Sequence, residues 1–124
     1  MTATDRTVIG EALRDAGGHD PAVFVAELEG SVVGFVHVHS HVDYYRRRSH
    51  GHVADIVVAE QAEGLGIAGE LLGEAERWAC RQGYDWLTIS VFDENARAAG
   101  LYERRGFRRD TRTLLKVLDE PGST

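Results

Sequence analysis

At 124 residues, 43% of them apolar, the chain has material for one packed core and too little for two. No apolar run approaches the roughly 18 residues that a membrane helix needs, and the first six residues lack the basic-then-apolar pattern of a signal peptide. A net charge of −6 argues against a general nucleic-acid binder, and the single cysteine, Cys80, cannot close an intrachain disulfide, which fits a cytoplasmic setting.

In chain order, residues 7–16 read as a short helix, stopped by Gly17-Gly18 and by Pro21 behind them. The runs 22–28 and 32–39 are β-type and flank a turn containing Gly30, so they predict a hairpin. Residues 42–50 are polar and arginine-rich and read as a loop, followed by a strand at 52–59. Helical spacing then runs from about Gly66 to Gln82, with Gly83 as a C-terminal stop. Tyr84 to Val91 reads as a strand, and Asn95 is placed to cap a helix over 96–105 that Gly106 ends. A last strand is predicted over 111–118, and 119–124 reads as frayed. The order β-β-β-α-β-α-β implies a mixed α/β architecture, in which an antiparallel hairpin sheet continues into a parallel pair.

The most informative stretch is the apolar strand Val53–Ala59, then Glu60-Gln61-Ala62-Glu63, then Gly64-Leu65-Gly66-Ile67-Ala68-Gly69 leading into the helix. A strand, a glycine loop and a helix start form a cradle for an anion: glycine lets a ligand approach the backbone, while free N–H groups and the helix dipole attract negative charge. The dinucleotide fingerprint does not apply. Gly64, Gly66 and Gly69 have its spacing, but the preceding strands form a hairpin and no acidic strand end is placed to hold a ribose. A phosphate-binding Lys-Ser/Thr pair is also missing from this loop.

A second motif follows in Asn95, Arg97, Ala98, Ala99 and Leu101-Tyr102-Glu103-Arg104-Arg105-Gly106-Phe107. With both motifs in this order, the chain over about 22–118 resembles the GNAT superfamily of acyl-CoA-dependent N-acetyltransferases. The resemblance implies a GNAT-like acyltransferase domain: a mixed, mostly antiparallel sheet with a splayed parallel strand pair and flanking helices. It also implies acetyl-CoA as co-substrate. The strand segment Ile56-Val57-Val58 would pair with the pantetheine amides, and Gly64, Leu65, Gly66, Ile67, Ala68 and Gly69 would wrap the pyrophosphate through main-chain N–H groups. Asn95 and Ala98 would contribute to the same cofactor site. Tyr102 matches the tyrosine that lies near the thioester sulfur, and a phenol is a reasonable acid for a departing thiolate because the two pKa values are close. An alternative is a tyrosine that only packs against the cofactor. For the base that takes the proton of the amine, Asp55 is the first choice, Glu27 the second, and a water chain an equal alternative.

Two departures from the family pattern bear on activity. Glu63 stands immediately before the first loop glycine, where the family usually has Arg or Gln, and a carboxylate there would repel a pyrophosphate by about 1 kcal/mol when solvated. Gln61 offers a Gln-x-x-Gly-x-Gly match with the loop shifted. The first strand and paired helices of the family are expected to be mostly missing, since about 20 residues precede Ala22. The acceptor wall would then be reduced, or a second subunit would supply it, and the latter favours a homodimer.

His37, His39 and His41 alternate and so share one strand face, with His50 and His52 on the next strand. Such a face can bind zinc or nickel, line an acceptor site, or simply be solvated; no metal is expected for the reaction. The leading expectation is an N-acetyltransferase that moves an acetyl group from acetyl-CoA to a primary amine of a small molecule or peptide. The rivals are a degenerate, non-catalytic acyl-CoA-binding regulatory module and, further off, a metal sensor.

Overall fold

The computed structural model describes residues 8–11, 20–92, 94–111 and 113–118. Its strands are β1 (Val8–Glu11), β2 (Ala22–Leu28), β3 (Ser31–Asp43), β4 (Arg48–Val58) and β5 (Leu87–Ile89). The helices are α1 (Ile67–Arg81) and α2 (Ala96–Arg104), with a single 3-10 turn at Glu60–Ala62 after β4. The strands form one sheet in sequential order. Pairs β1–β2, β2–β3 and β3–β4 are antiparallel, and β4–β5 is parallel, as expected from a crossover through α1.

Local chemistry explains the two hairpins. Leu28 pairs with Ser31, leaving Glu29 (φ 52°) and Gly30 (φ 83°) as a two-residue turn. Positive φ at both positions is the turn geometry that matches strand twist. The β3–β4 turn is organised by Asp43, whose carboxylate accepts from the backbone N–H groups of Tyr45 (2.9 Å) and Arg46 (3.0 Å).

The core lies between α1 and one sheet face. Ile67, Leu71, Leu72, Ala75, Trp78 and Ala79 follow helical spacing on α1, and all are buried. Most of this stripe packs with Ala22, Phe24 and Ala26 of β2, Val36 and Val38 of β3, and Val53 of β4 in one cluster. The residues between these on β3 and β4, histidines included, take the opposite face by strand alternation.

Four expectations are corrected here. Over 8–11 the chain is strand, not helix: Val8 and Ile9 are β-branched and pair with Glu27 and Ala26, so sheet pairing overrides the helical spacing. The rest of that predicted helix lies outside the described residues. A first strand is thus present, contrary to its expected loss. Second, most of 42–50 is strand, and only 44–47 form the turn between β3 and β4. Third, the strand over 84–91 contracts to Leu87–Ile89. Fourth, no strand forms over the described part of 111–118, and Leu114, Leu115, Val117 and Leu118 are exposed. The run has no neighbouring strand to pair with, since among the described residues β5 pairs with β4 alone.

Candidate active site

Strands β4 and β5 run together only briefly. Gly51, His52 and Val53 pair with Leu87, Thr88 and Ile89; β4 then continues to Val58 while β5 ends. Over 54–58 the β5-facing edge of β4 therefore has no strand partner among the described residues, although β3 still holds the other edge through Val36–Ile56, Phe35–Val57 and Gly34–Val58. An unpaired strand edge presents N–H and C=O groups in a row, which is what an extended amide-bearing chain needs for pairing.

A β-bulge marks the start of this opening. His37 pairs with Asp55 and Val38 with Val53, which leaves Ala54 as the extra residue on β4. Bulges bend and twist a strand, and here the bend falls where β4 parts from β5. Sequence reasoning missed it, because the residues of one strand do not reveal its register against the next. The bulge brings Asp55 next to His37, with Oδ2 to Nδ1 at 3.4 Å on an exposed surface.

Below the opening lies the glycine loop. Gly64 (φ 85°) and Gly66 (φ 80°) both occupy the left-handed region, which side-chain-bearing residues enter only at a cost, so these two glycines are required by the backbone itself. Gly66 is the N-cap of α1 and has no side chain with which to cap it. Its first-turn N–H groups stand at the positive end of the helix dipole, where an anion is favoured. Ile67 is 1% exposed and belongs to the core, so only its backbone can serve a ligand.

The charge of Glu63 has a local answer. Its carboxylate faces the Arg97 guanidinium at 3.4 Å, a contact that links the loop to α2. At the far end of α2, Arg105 bonds Glu76 of α1 at 2.9 Å. No residue of α2 is buried, so these surface pairs, each worth about 0–1 kcal/mol, help to orient a lightly docked helix. Asn95 caps α2 as expected, its side chain accepting from Ala98 N–H at 3.1 Å; that N–H is therefore already engaged. Tyr102 sits half-buried on α2 with its ring edge-on to Phe107, and burial pushes its phenol pKa upward.

Of the other candidates, Ile56 and Val58 turn inward against the core while Val57 is 49% exposed on the opposite side. Glu27 lies on β2, paired with Val8 and Val32, two strands away from β4. An open groove of about 570 Å³ is lined by Gly73, Glu76, Arg77, Cys80, Arg81 and Arg105. It follows the later part of α1 and does not include the loop residues.

The histidine face adjoins the opening. His39 pairs with His52 and His41 with His50 across β3 and β4, and Thr88 of β5 touches both His50 Nε2 (3.1 Å) and His52 Nδ1 (2.7 Å). Burial lowers the pKa of both His50 and His52, helped by the charge that neighbouring imidazoles would carry. Trp86 stacks on His50 at 5.1 Å, and Arg48 covers the indole at 4.9 Å.

Comparison with known proteins fits this geometry. The Acetyltransferase (GNAT) family model matches residues 3–107. An uncharacterized N-acetyltransferase of Bacillus subtilis, YhfO, is 27% identical over 103 residues, covering 83% of this chain and 69% of the relative. A putative acetyl transferase from Pyrococcus furiosus superposes with a TM-score of 0.76 at 29% identity, over 82% of this chain and 68% of that one. The fold is also that of an aminoglycoside N-acetyltransferase, AAC(6')-Iy, solved in complex with CoA: TM-score 0.72 at 20% identity, over 82% of this chain and 68% of that chain. With a family model spanning most of its length, the chain belongs to the acetyltransferase (GNAT) family.

Proposed function

We propose that the chain transfers an acetyl group from acetyl-CoA to a primary amine of a small molecule or peptide, directly and without a covalent enzyme intermediate. The observation that carries this reading is the unpaired edge of β4 over 54–58 leading into the left-handed glycine turn. One supplies amide partners in a row and the other an anion cradle, together the recognition chemistry of a pantetheine diphosphate. The CoA held by the structural neighbour AAC(6')-Iy supports the same choice of donor.

In this reading the edge N–H groups of β4 orient and polarise the thioester carbonyl. The amine nitrogen attacks the carbonyl carbon, the C–S bond breaks, and the sulfur takes a proton from the Tyr102 hydroxyl. The proton of the amine leaves to Asp55, directly or through water. Burial of Tyr102 suits this role, because a raised pKa keeps the phenol protonated until the thiolate forms. The Glu63–Arg97 pair offsets the carboxylate that favoured a non-catalytic module.

The test is thiol release from acetyl-CoA with a panel of amines, alongside thermal-shift titration with acetyl-CoA. Amine-dependent thiol release, at least tenfold lower in Tyr102→Phe, is expected. A melting-temperature shift without turnover for any amine would favour the non-catalytic module, and no shift at millimolar acetyl-CoA would overturn both readings.

A further inference from the structure

Acetyl transfer leaves one constellation without a role: the imidazoles on the sheet face opposite α1. His39, His41 and His52 form a triangle with ring centres 6.4, 5.4 and 5.8 Å apart, and His50 stands 5.3 Å from His41. A tetrahedral ion bonded to imidazole nitrogens at about 2.0–2.1 Å holds the ring centres about 5 Å apart. Among the described residues no three such groups converge around one point as they stand. The edge between the two anchored rings, His39 and His52, is within about 0.5 Å of a closed site; the two edges to His41 are wider by about 1 Å and slightly more, a distance that turning the His41 side chain can cover without moving the strands.

Two further observations point to a ligand. Metal-bound histidines characteristically bond through their second ring nitrogen to a carbonyl, a carboxylate or another fixed group, which sets the tautomer and the ring plane. That outer arrangement is already in place: His39 Nδ1 lies 2.8 Å from the Ser40 carbonyl, and His52 Nδ1 lies 2.7 Å from Thr88 Oγ1. Each leaves Nε2 without a protein partner among the described residues. In addition, His50 is 3% exposed, and its Nδ1 is buried without any hydrogen-bond partner among them. A buried nitrogen in that condition is costly unless something fills the position.

We propose that His39, His41 and His52 bind a divalent cation of imidazole preference, zinc being the reference case, with His50 the adjoining fourth donor. Imidazole-only donor sets select zinc, copper and nickel over magnesium and calcium. The ion would clip β3 to β4 and, through Thr88, both to β5, next to where β4 and β5 part. This site is independent of the acetyl-transfer reading and needs no acyl donor.

The experiment is equilibrium dialysis of the untagged chain against micromolar zinc, with cobalt(II) absorption as a second readout. About one equivalent per chain is expected, with the visible bands of a four-coordinate cobalt site. His41→Asn combined with His52→Asn should weaken binding at least tenfold. Thr88→Val, which removes the shared anchor and leaves the ligands in place, should weaken it about 10–100-fold. His37→Asn, whose ring lies 6.0 Å from His39 but whose Nδ1 faces Asp55 at 3.4 Å, should leave it within about twofold; circular dichroism confirms that each variant keeps the fold. Occupancy below a tenth of an equivalent in the unaltered chain would overturn the proposal. So would equal losses in His37→Asn and the double variant, which would mean diffuse capture by surface imidazoles.

Discussion

Gly34 offers a severe test of how tightly the opening strand is packed. A Cβ placed on Gly34 would sit 2.8 Å from the Val57 carbonyl oxygen, 3.4 Å from Leu71 Cδ1 and 3.4 Å from Val58 Cα. The nearest atom belongs to the backbone, so no side-chain rotation relieves the contact; the end of β4 must move by several tenths of an ångström. Overpacking of this kind costs about 1–3 kcal/mol. Replacing glycine also restricts the unfolded chain, which returns about 0.4–1 kcal/mol. Gly34→Ala should therefore destabilise by about 1–2 kcal/mol, or about 4–8 °C in melting temperature for a domain of this size. Gly69→Ala is the matched control, because a Cβ there meets nothing within 4 Å and the position is helical. It should stabilise the unliganded chain by about 0.5–1 kcal/mol. Under the proposed function the two share one further outcome: the shift produced by acetyl-CoA shrinks in both, through a displaced end of β4 in one and a methyl group in the phosphate cradle in the other. Scanning calorimetry of the three proteins with and without acetyl-CoA decides the matter. A Gly34→Ala melting temperature within 1 °C of the unaltered chain would refute the packing argument.

Asn95→Ala removes the cap of α2 and should cost about 1 kcal/mol, read by urea denaturation, with a loss of thiol-release activity larger than that change implies because α2 carries Tyr102. Arg97→Ala leaves the Glu63 carboxylate uncompensated and should weaken acetyl-CoA binding about fivefold, equivalent to about 1 kcal/mol; Glu63→Gln with Arg97 intact leaves the guanidinium uncompensated and should strengthen calorimetric affinity by a similar factor. For Tyr102 the folded pKa lies above the ordinary value of 10.0. The neutral phenol is favoured by folding, so its contribution to stability is complete below about pH 10 and declines as pH rises through the folded value. Denaturation midpoints of the unaltered chain and Tyr102→Phe should run parallel up to pH 9 and diverge above it, and kcat/KM should show no loss from Tyr102 deprotonation below pH 9.

The sequence carried the fold family because its two motifs are backbone demands. Left-handed turns at Gly64 and Gly66 require glycine whatever the rest of the chain does, and Asn95 at a helix start is local capping chemistry. The stripe from Ile67 to Ala79 fixed the face of α1 by its period alone. Where partners matter more than period, reading along the chain went wrong. Val8–Glu11 is a strand because β2 is there to pair with it, and the apolar residues of 113–118 stay exposed with no strand beside them among the described residues.

Tertiary structure alone decided the features nearest to function. The bulge at Ala54, the parting of β4 from β5 after Val53, the Glu63–Arg97 pair and the anchoring of two imidazoles on Thr88 each join residues distant in sequence. Spacing along one strand announces which side chains share a face, as His37, His39 and His41 did. It cannot give the register of the neighbouring strand, and register is what sets His39 opposite His52 and Asp55 beside His37.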